Sequence, residues 1–196
     1  MKGMRNAPQT HSLMKPGKKL FLHEELLLLA LRGHQGTLVT DNVEYVTAGA
    51  ILAELLLAGN IAVSDDKKKH IDVLDTGAPG NEVLDEALHC MAEAMRPANL
   101  EEWVARIAEI PDLKHKVAMG LCERGILRAQ KDKVFFIFTR QVYPEVDPEP
   151  EAAILDRLYG AIFEREGKED ERTVILLSLA MQALIYPVTE IGRAHA

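Results

Sequence analysis

Hydrophobic positions recur along the chain at helical spacing, interrupted by glycine, proline and short charged runs. The densest stretch is Thr47 to Val63, TAGAILAELLLAGNIAV, where nearly every residue from Ala50 to Ala58 is apolar and Glu54 is the only charge. A helix that is apolar all round is wrapped by protein on most sides, so this segment predicts the centre of the core. Gly59 supplies a left-handed cap. Ile61 to Val63 then begins a strand, Ser64 to Lys69 forms a charged turn, and His70 to Leu74 returns.

The same spacing predicts a first helix over His23 to Leu31, ended by Gly33 and Gly36, and a short strand over Thr37 to Thr40. After the loop Asp75 to Gly80, Asn81 caps a helix reaching Met95, with Val83, Leu84, Ala87, Leu88 and Met91 on one face. Asn99 starts another, in which Leu100, Trp103, Val104 and Ile107 recur and Pro111 closes the run. Leu113 to Arg124 repeats the opening pattern. Gly125 caps it, Ile126 to Ala129 begins a strand, Lys131 to Lys133 is the turn, and Val134 to Phe138 returns. AELLLAGNIAV and MGLCERGILRA align on the glycine as a degenerate internal repeat, although a shared architecture need not mean duplication. Beyond the acidic, proline-rich connector Pro144 to Pro150 come helices Glu151 to Arg165 and Glu169 to Ile185, and Tyr186 to Ala196 trails off. The fold class is mainly α: a single-domain helical bundle with two or three short β-hairpins. It occupies residues 20–187, between a flexible basic arm at 1–19 and a C-terminal tail at 188–196.

Composition supports one well-filled core, with 47% hydrophobic residues in 196. The formal charge of -7 argues against non-specific binding of nucleic acid or acidic membranes by the molecule as a whole. Locally the arm is different: Lys2, Arg5, Lys15, Lys18 and Lys19 occur there with no acid, as in a solubilising end or an arm that touches acidic headgroups or an acidic partner. Cys90 and Cys122 have no C-x-x-C spacing and read as buried thiols in a reducing compartment. Val174 to Val188 is shorter than the roughly 20 residues of a membrane span. His23, Glu24 and Glu25 interrupt anything resembling a signal peptide, so the expected location is cytoplasmic, with peripheral membrane contact open.

Catalytic motifs are sparse. No P-loop, G-x-S-x-G or G-x-G-x-x-G is present, and His23-Glu24-Glu25 lacks a second histidine one turn away, so no metal and no cofactor are predicted. Glu54 inside the apolar helix is a candidate general acid, but a structural glutamate bonded to backbone or to an arginine is the simpler reading. Trp103 reads as core or interface packing rather than a ligand-stacking residue. In VFFIF, Phe135 and Ile137 alternate with Val134, Phe136 and Phe138, so both strand faces are apolar, either covered by protein or offered to a partner or membrane.

Across Leu20 to Pro187 the chain resembles the Golgi phosphoprotein 3 family of peripheral membrane proteins. The likeness rests on EELLLLAL (Glu24 to Leu31) with its glycine loop, GAILAELLLAGNI (Gly49 to Ile61), GAPGNEVLDEAL (Gly77 to Leu88), CERGIL (Cys122 to Leu127) and VFFIF, in that order. It implies a mostly helical domain that reads phosphatidylinositol 4-phosphate on a membrane. The family's headgroup pocket uses a tryptophan before the central helix, an arginine at its start, and two arginines one turn apart ahead of the second hairpin. Here those positions fall near Val39 and Ala48, and on Pro111 and Lys114. The ligand-binding residues implied are therefore Lys114 and its neighbour Lys116, which lack the bidentate fork of arginine. By the same resemblance, Lys131, Lys133, Phe135, Phe136 and Phe138 form a hairpin for membrane contact or self-association. Expected partners are anionic phospholipid headgroups and a protein partner or second copy; nucleic acid is disfavoured. Two other readings stay open: a winged-helix regulator reading DNA with Leu113 to Arg124, and a small enzyme built around Glu54.

Overall fold

Among the described residues the chain forms α1 (Leu22–Ala30), α2 (Val43–Ala58), β1 (Ile61–Val63), β2 (Ile71–Val73), α3 (Glu82–Ala92), α4 (Leu100–Ala108), α5 (Leu113–Glu123), β3 (Gln130–Val134), β4 (Phe138–Val142), α6 (Glu149–Phe163) and α7 (Glu171–Arg193). The structure, a computed structural model, describes residues 19–31, 35–38, 42–134, 138–163 and 170–193, and at 133, 134, 138 and 184–193 the backbone alone. The mainly helical fold class predicted from the hydrophobic pattern is the one observed, with two antiparallel two-stranded sheets.

The apolar segment is central, as its composition requires. Val43, Val46, Ala48, Ala50, Ile51, Leu52 and Leu55 of α2 are buried, and α1, α3, α4, α5 and α7 all pack against it. It emerges at Tyr45 in its first turn and at Leu57 and Ala58 in its last. Gly49 is the point of close approach to α7: a Cβ there would lie 3.3 Å from Leu179 Cδ2. Gly59 ends the helix at φ 77°, and β1 and β2 then pair with Ile61 opposite Val73. Asn81 accepts from the Val83 and Leu84 N–H groups at 3.1 and 3.2 Å, and Asn99 and Glu102 exchange bonds at 3.0 Å each, so α3 and α4 start where their caps predict.

Helix α1 carries three polar residues into the core: His23, Glu24 and Glu25 are all buried. Their carboxylates are met by guanidinium groups from far along the chain. Arg124 Nη1 lies 2.7 Å from Glu24, and Arg157 Nη2 lies 3.0 Å from Glu25. Glu54 of α2 is held at one oxygen by Arg172 Nη1 at 2.8 Å and at the other by the Leu22 N–H at 2.6 Å. Both Glu54 oxygens are thus engaged structurally, the simpler of the two sequence readings.

Four local expectations are corrected. Lys131 to Lys133 is not a turn but part of β3, with Lys131 opposite Gln141, Asp132 opposite Arg140 and Lys133 opposite Thr139. The cross-strand Asp132–Arg140 ion pair at 2.9 Å favours this register, in which Val134 pairs with Phe138; Phe135 and Phe136 of the expected return strand lie outside the described residues. Helix α7 does not stop at Ile185 but continues through Pro187 to Arg193, since a proline within a helix removes one hydrogen bond without always ending it. Cys90 is exposed and Cys122 half-buried, because α3 turns Leu84, Leu88 and Met91 inward and Cys90 away. Of the strand expected at Thr37 to Thr40, the structure shows one bridge, Leu31 to Leu38; Val39 and Thr40 lie outside the described residues.

Candidate functional site

An open cavity of about 540 Å³ lies where the segment after α1 meets the start of α5 and the end of β4. Gly36, Thr37 and Leu38 form one wall; Asp112, Lys114 and His115 form a second; Arg140, Gln141 and Tyr143 form the third. The walls are tied together by the backbone, with the Tyr143 N–H donating to the Gly36 carbonyl at 2.9 Å. Gly36 sits at φ +59°, and a Cβ there would fall 2.1 Å from Pro144 N. No side chain fits this crossing.

Two permanent cations border the cavity. Lys114 Nζ is 2.8 Å from Glu44, and Arg140 holds Asp132 at 2.9 Å, each pair partly exposed. Exposed pairs of this kind contribute roughly 0–1 kcal/mol, so an entering anion can exchange with Glu44 or Asp132 at little cost. His115 is hydrogen-bonded through Nδ1 to the Tyr143 hydroxyl. Burial, reinforced by Cys122 and Asp112, pushes the Tyr143 phenol up to about 12. The hydroxyl therefore keeps its proton and can donate to the imidazole, leaving the other ring nitrogen to carry the proton. Asp112, at φ 56° in the left-handed region, is the one carboxylate on the cavity wall among the described residues. Lysine, arginine and imidazole donors on an open rim suit a phosphate-type oxyanion.

Of the residues proposed from sequence, Lys114 lies in this cavity and Lys116 does not. Two residues apart on a helix means opposite faces, and Lys116 pairs with Glu86 at 2.5 Å beside a smaller cleft of about 220 Å³ shared with Glu24 and Arg124. Lys131 borders a third cleft, of about 300 Å³, with Gln35, Asp132 and Arg140. The Lys133 and Phe138 backbones belong to β3 and β4, facing Thr139 and Val134 respectively. Ala48 is fully buried within α2, and Pro111 is exposed in the turn before α5. Sequence reasoning missed His115, Arg140 and Tyr143. The KHK run at Lys114 to Lys116 was a signal for the histidine, but only the strand register brings Arg140 to it.

Among the described residues no helix is long and apolar enough to cross a membrane, and no group of three metal-ligating side chains occurs. Helices around a buried apolar helix, two ribbon hairpins and a hairpin-bordered cavity with a cationic rim define a mostly helical single-core scaffold. The chain belongs to the Golgi phosphoprotein 3 (GPP34) family, whose model it matches over residues 22–188. It is similar to the vacuolar protein sorting-associated protein 74 of Eremothecium gossypii, with 29% identity over 167 residues, covering 74% of this chain and 50% of that one. To the protein of the same name from Schizosaccharomyces pombe it is 26% identical over 168 residues, covering 75% and 49%. The chain thus spans about half the length of these curated relatives.

Proposed function

We propose that this protein is a non-enzymatic, membrane-associated binding module that takes the anionic headgroup of a phospholipid in the cavity between α5 and β4. Membership of the Golgi phosphoprotein 3 family supports the coarse role. The observation that carries the site is the approach of Lys114, His115 and Arg140 to one open cavity from two separate elements. Lys114 supplies a point charge, Arg140 a planar fork, and His115 a directional donor fixed by Tyr143. Phosphatidylinositol 4-phosphate is the headgroup the family points to. Its monoester phosphate presents three oxygens to three donors.

Sedimentation with liposomes carrying phosphatidylinositol 4-phosphate, phosphatidylserine or no acidic lipid tests this at two salt concentrations. The expected result is selective pelleting with the phosphoinositide that is lost in a Lys114→Ala, Arg140→Ala variant and retained in Lys116→Ala. Pelleting that ignores the first variant but follows salt would assign membrane contact to the basic arm at 1–19 or to the hairpin carrying Lys131 and Lys133. Absence of pelleting on any liposome would remove the membrane reading.

A further inference from the structure

Helix α6 is apolar on two faces. Ile154 and Leu158 are buried, whereas Leu155, Tyr159, Ile162 and Phe163 are 49%, 60%, 53% and 63% exposed. The exposed four stand at i, i+4, i+7 and i+8, which is a continuous stripe along one side of a helix. The Tyr159 and Phe163 rings touch, with centroids 4.6 Å apart. At 100° per residue, Glu151 borders the stripe on one edge and Glu149 and Asp156 on the other. The surface is therefore an apolar strip between acidic margins.

We propose that this stripe seats the chain's own basic N-terminal segment, residues 1–18. That segment has four cations, Lys2, Arg5, Lys15 and Lys18, no acid, and the apolar residues Met1, Met4, Leu13 and Met14. Its composition complements both parts of the surface, the apolar strip and the acidic margins. Its root is held nearby: the Leu20 carbonyl accepts from Arg172 Nη2 at 2.7 Å, on the first turn of the helix that packs against α6, and Arg157 of α6 reaches Glu25 at 3.0 Å. Eighteen residues extend to about 60 Å at most, and a 15-residue helix is about 22 Å long, so the segment reaches the whole stripe. Tethering places it at an effective concentration of about a millimolar, which a separate partner must exceed. Stripe-to-stripe pairing with a second copy would set acidic margins against each other, the segment of a second copy lacks the tether, and an acidic membrane repels Glu149, Glu151 and Asp156. The inference is independent of headgroup binding in the α5–β4 cavity.

Carbodiimide coupling, which joins lysine amines directly to carboxylates, tests this on the full chain as an equal mixture of ¹⁴N- and ¹⁵N-labelled protein. The expected result is single-isotope links from Lys15 or Lys18 to Glu149, Glu151 or Asp156. In a Tyr159→Ser, Phe163→Ser variant that melts like the parent, their yield falls about tenfold or more, as expected for removing two aromatic groups from an apolar contact. Should that variant fail to fold, Lys15→Glu, Lys18→Glu changes no residue of α1 to α7 and should raise hydrogen exchange across residues 155–163. No links to those acids while the exposed Lys67 to Lys69 couple elsewhere, mixed-isotope links only, or links and exchange unchanged by the variants would each overturn the proposal.

Discussion

Arg172 and Glu54 lie 118 positions apart in sequence and meet at 2.8 Å, with both side chains nearly buried. The same guanidinium caps the Leu20 carbonyl and approaches Glu25 at 3.7 Å, so one side chain on α7 joins the entry of α1, α1 itself and α2. Its partner Glu54 also accepts the Leu22 N–H, which has no partner within its own helix. The pair is therefore a three-way junction of α1, α2 and α7.

Removing one side of such a pair leaves an unpaired buried charge. Arg172→Ala is expected to cost about 3–5 kcal/mol, and Arg172→Lys to recover only part of it, because an ammonium cannot serve Glu54 and Leu20 with the geometry of a planar fork. Urea denaturation of the two variants checks this. A loss below about 1 kcal/mol for Arg172→Ala would place the pair among ordinary surface ion pairs.

His23 predicts a pH dependence. Burial pushes its pKa from 6.5 down to about 3, with the Arg172 charge adding to the effect and the Asn81 side chain opposing it. Below pH 6.5 the unfolded chain takes up a proton that the folded chain refuses until about pH 3. The contribution of a neutral His23 is complete above pH 6.5 and is lost as pH falls through that window, at about 1.4 kcal/mol per pH unit. His23→Phe removes the titration and keeps a ring to stack on Phe21, whose centroid is 5.7 Å away. Its stability should fall less steeply between pH 6 and 4 by about that slope. Parallel pH curves for parent and variant would show that His23 does not carry the effect.

At the cavity, charge should act in both directions. Glu44→Gln frees Lys114 from its 2.8 Å partner, and Asp112→Asn removes the carboxylate on the wall while keeping a residue that tolerates the left-handed region. Each should tighten binding to phosphoinositide liposomes by a factor of about 2–5, more at low salt than at high. Lys114→Ala should weaken it. Equal affinity for all four proteins would dissociate the cavity from lipid binding.

Much of the fold was legible because local chemistry and burial agree. Asn81, Asn99 and Gly59 act where their side-chain chemistry predicts, and the uninterrupted apolar run of α2 could only be central. The three arginines that neutralise Glu24, Glu25 and Glu54 were not legible, since each pairing spans 100 or more positions and no periodicity encodes it. Two adjacent glutamates after His23 at the head of a leucine-rich helix were the available sign that cations would be needed there. The cavity was half legible. Lys114 came through resemblance, whereas Arg140 depends on a strand register decided by cross-strand pairs rather than by the glycine-and-turn pattern that fixed the first hairpin.

Two glycines separate backbone strain from steric exclusion. Gly59 and Gly36 both have positive φ, but a Cβ on Gly59 would meet nothing within 4 Å, while one on Gly36 would overlap Pro144 N at 2.1 Å and Tyr143 C at 2.2 Å. Gly59→Ala should therefore cost only the left-handed penalty of about 1–2 kcal/mol and leave lipid binding unchanged. Gly36→Ala must in addition push the chain away from Tyr143, lengthening the 2.9 Å bond that holds β4 to this wall and shifting the Tyr143 hydroxyl that orients His115. Its stability loss should exceed that of Gly59→Ala, and binding should fall even where the variant remains folded, as read by thermal melting beside liposome sedimentation. Equal losses from the two substitutions, with binding intact, would mean that the Gly36 crossing holds the fold without shaping the cavity.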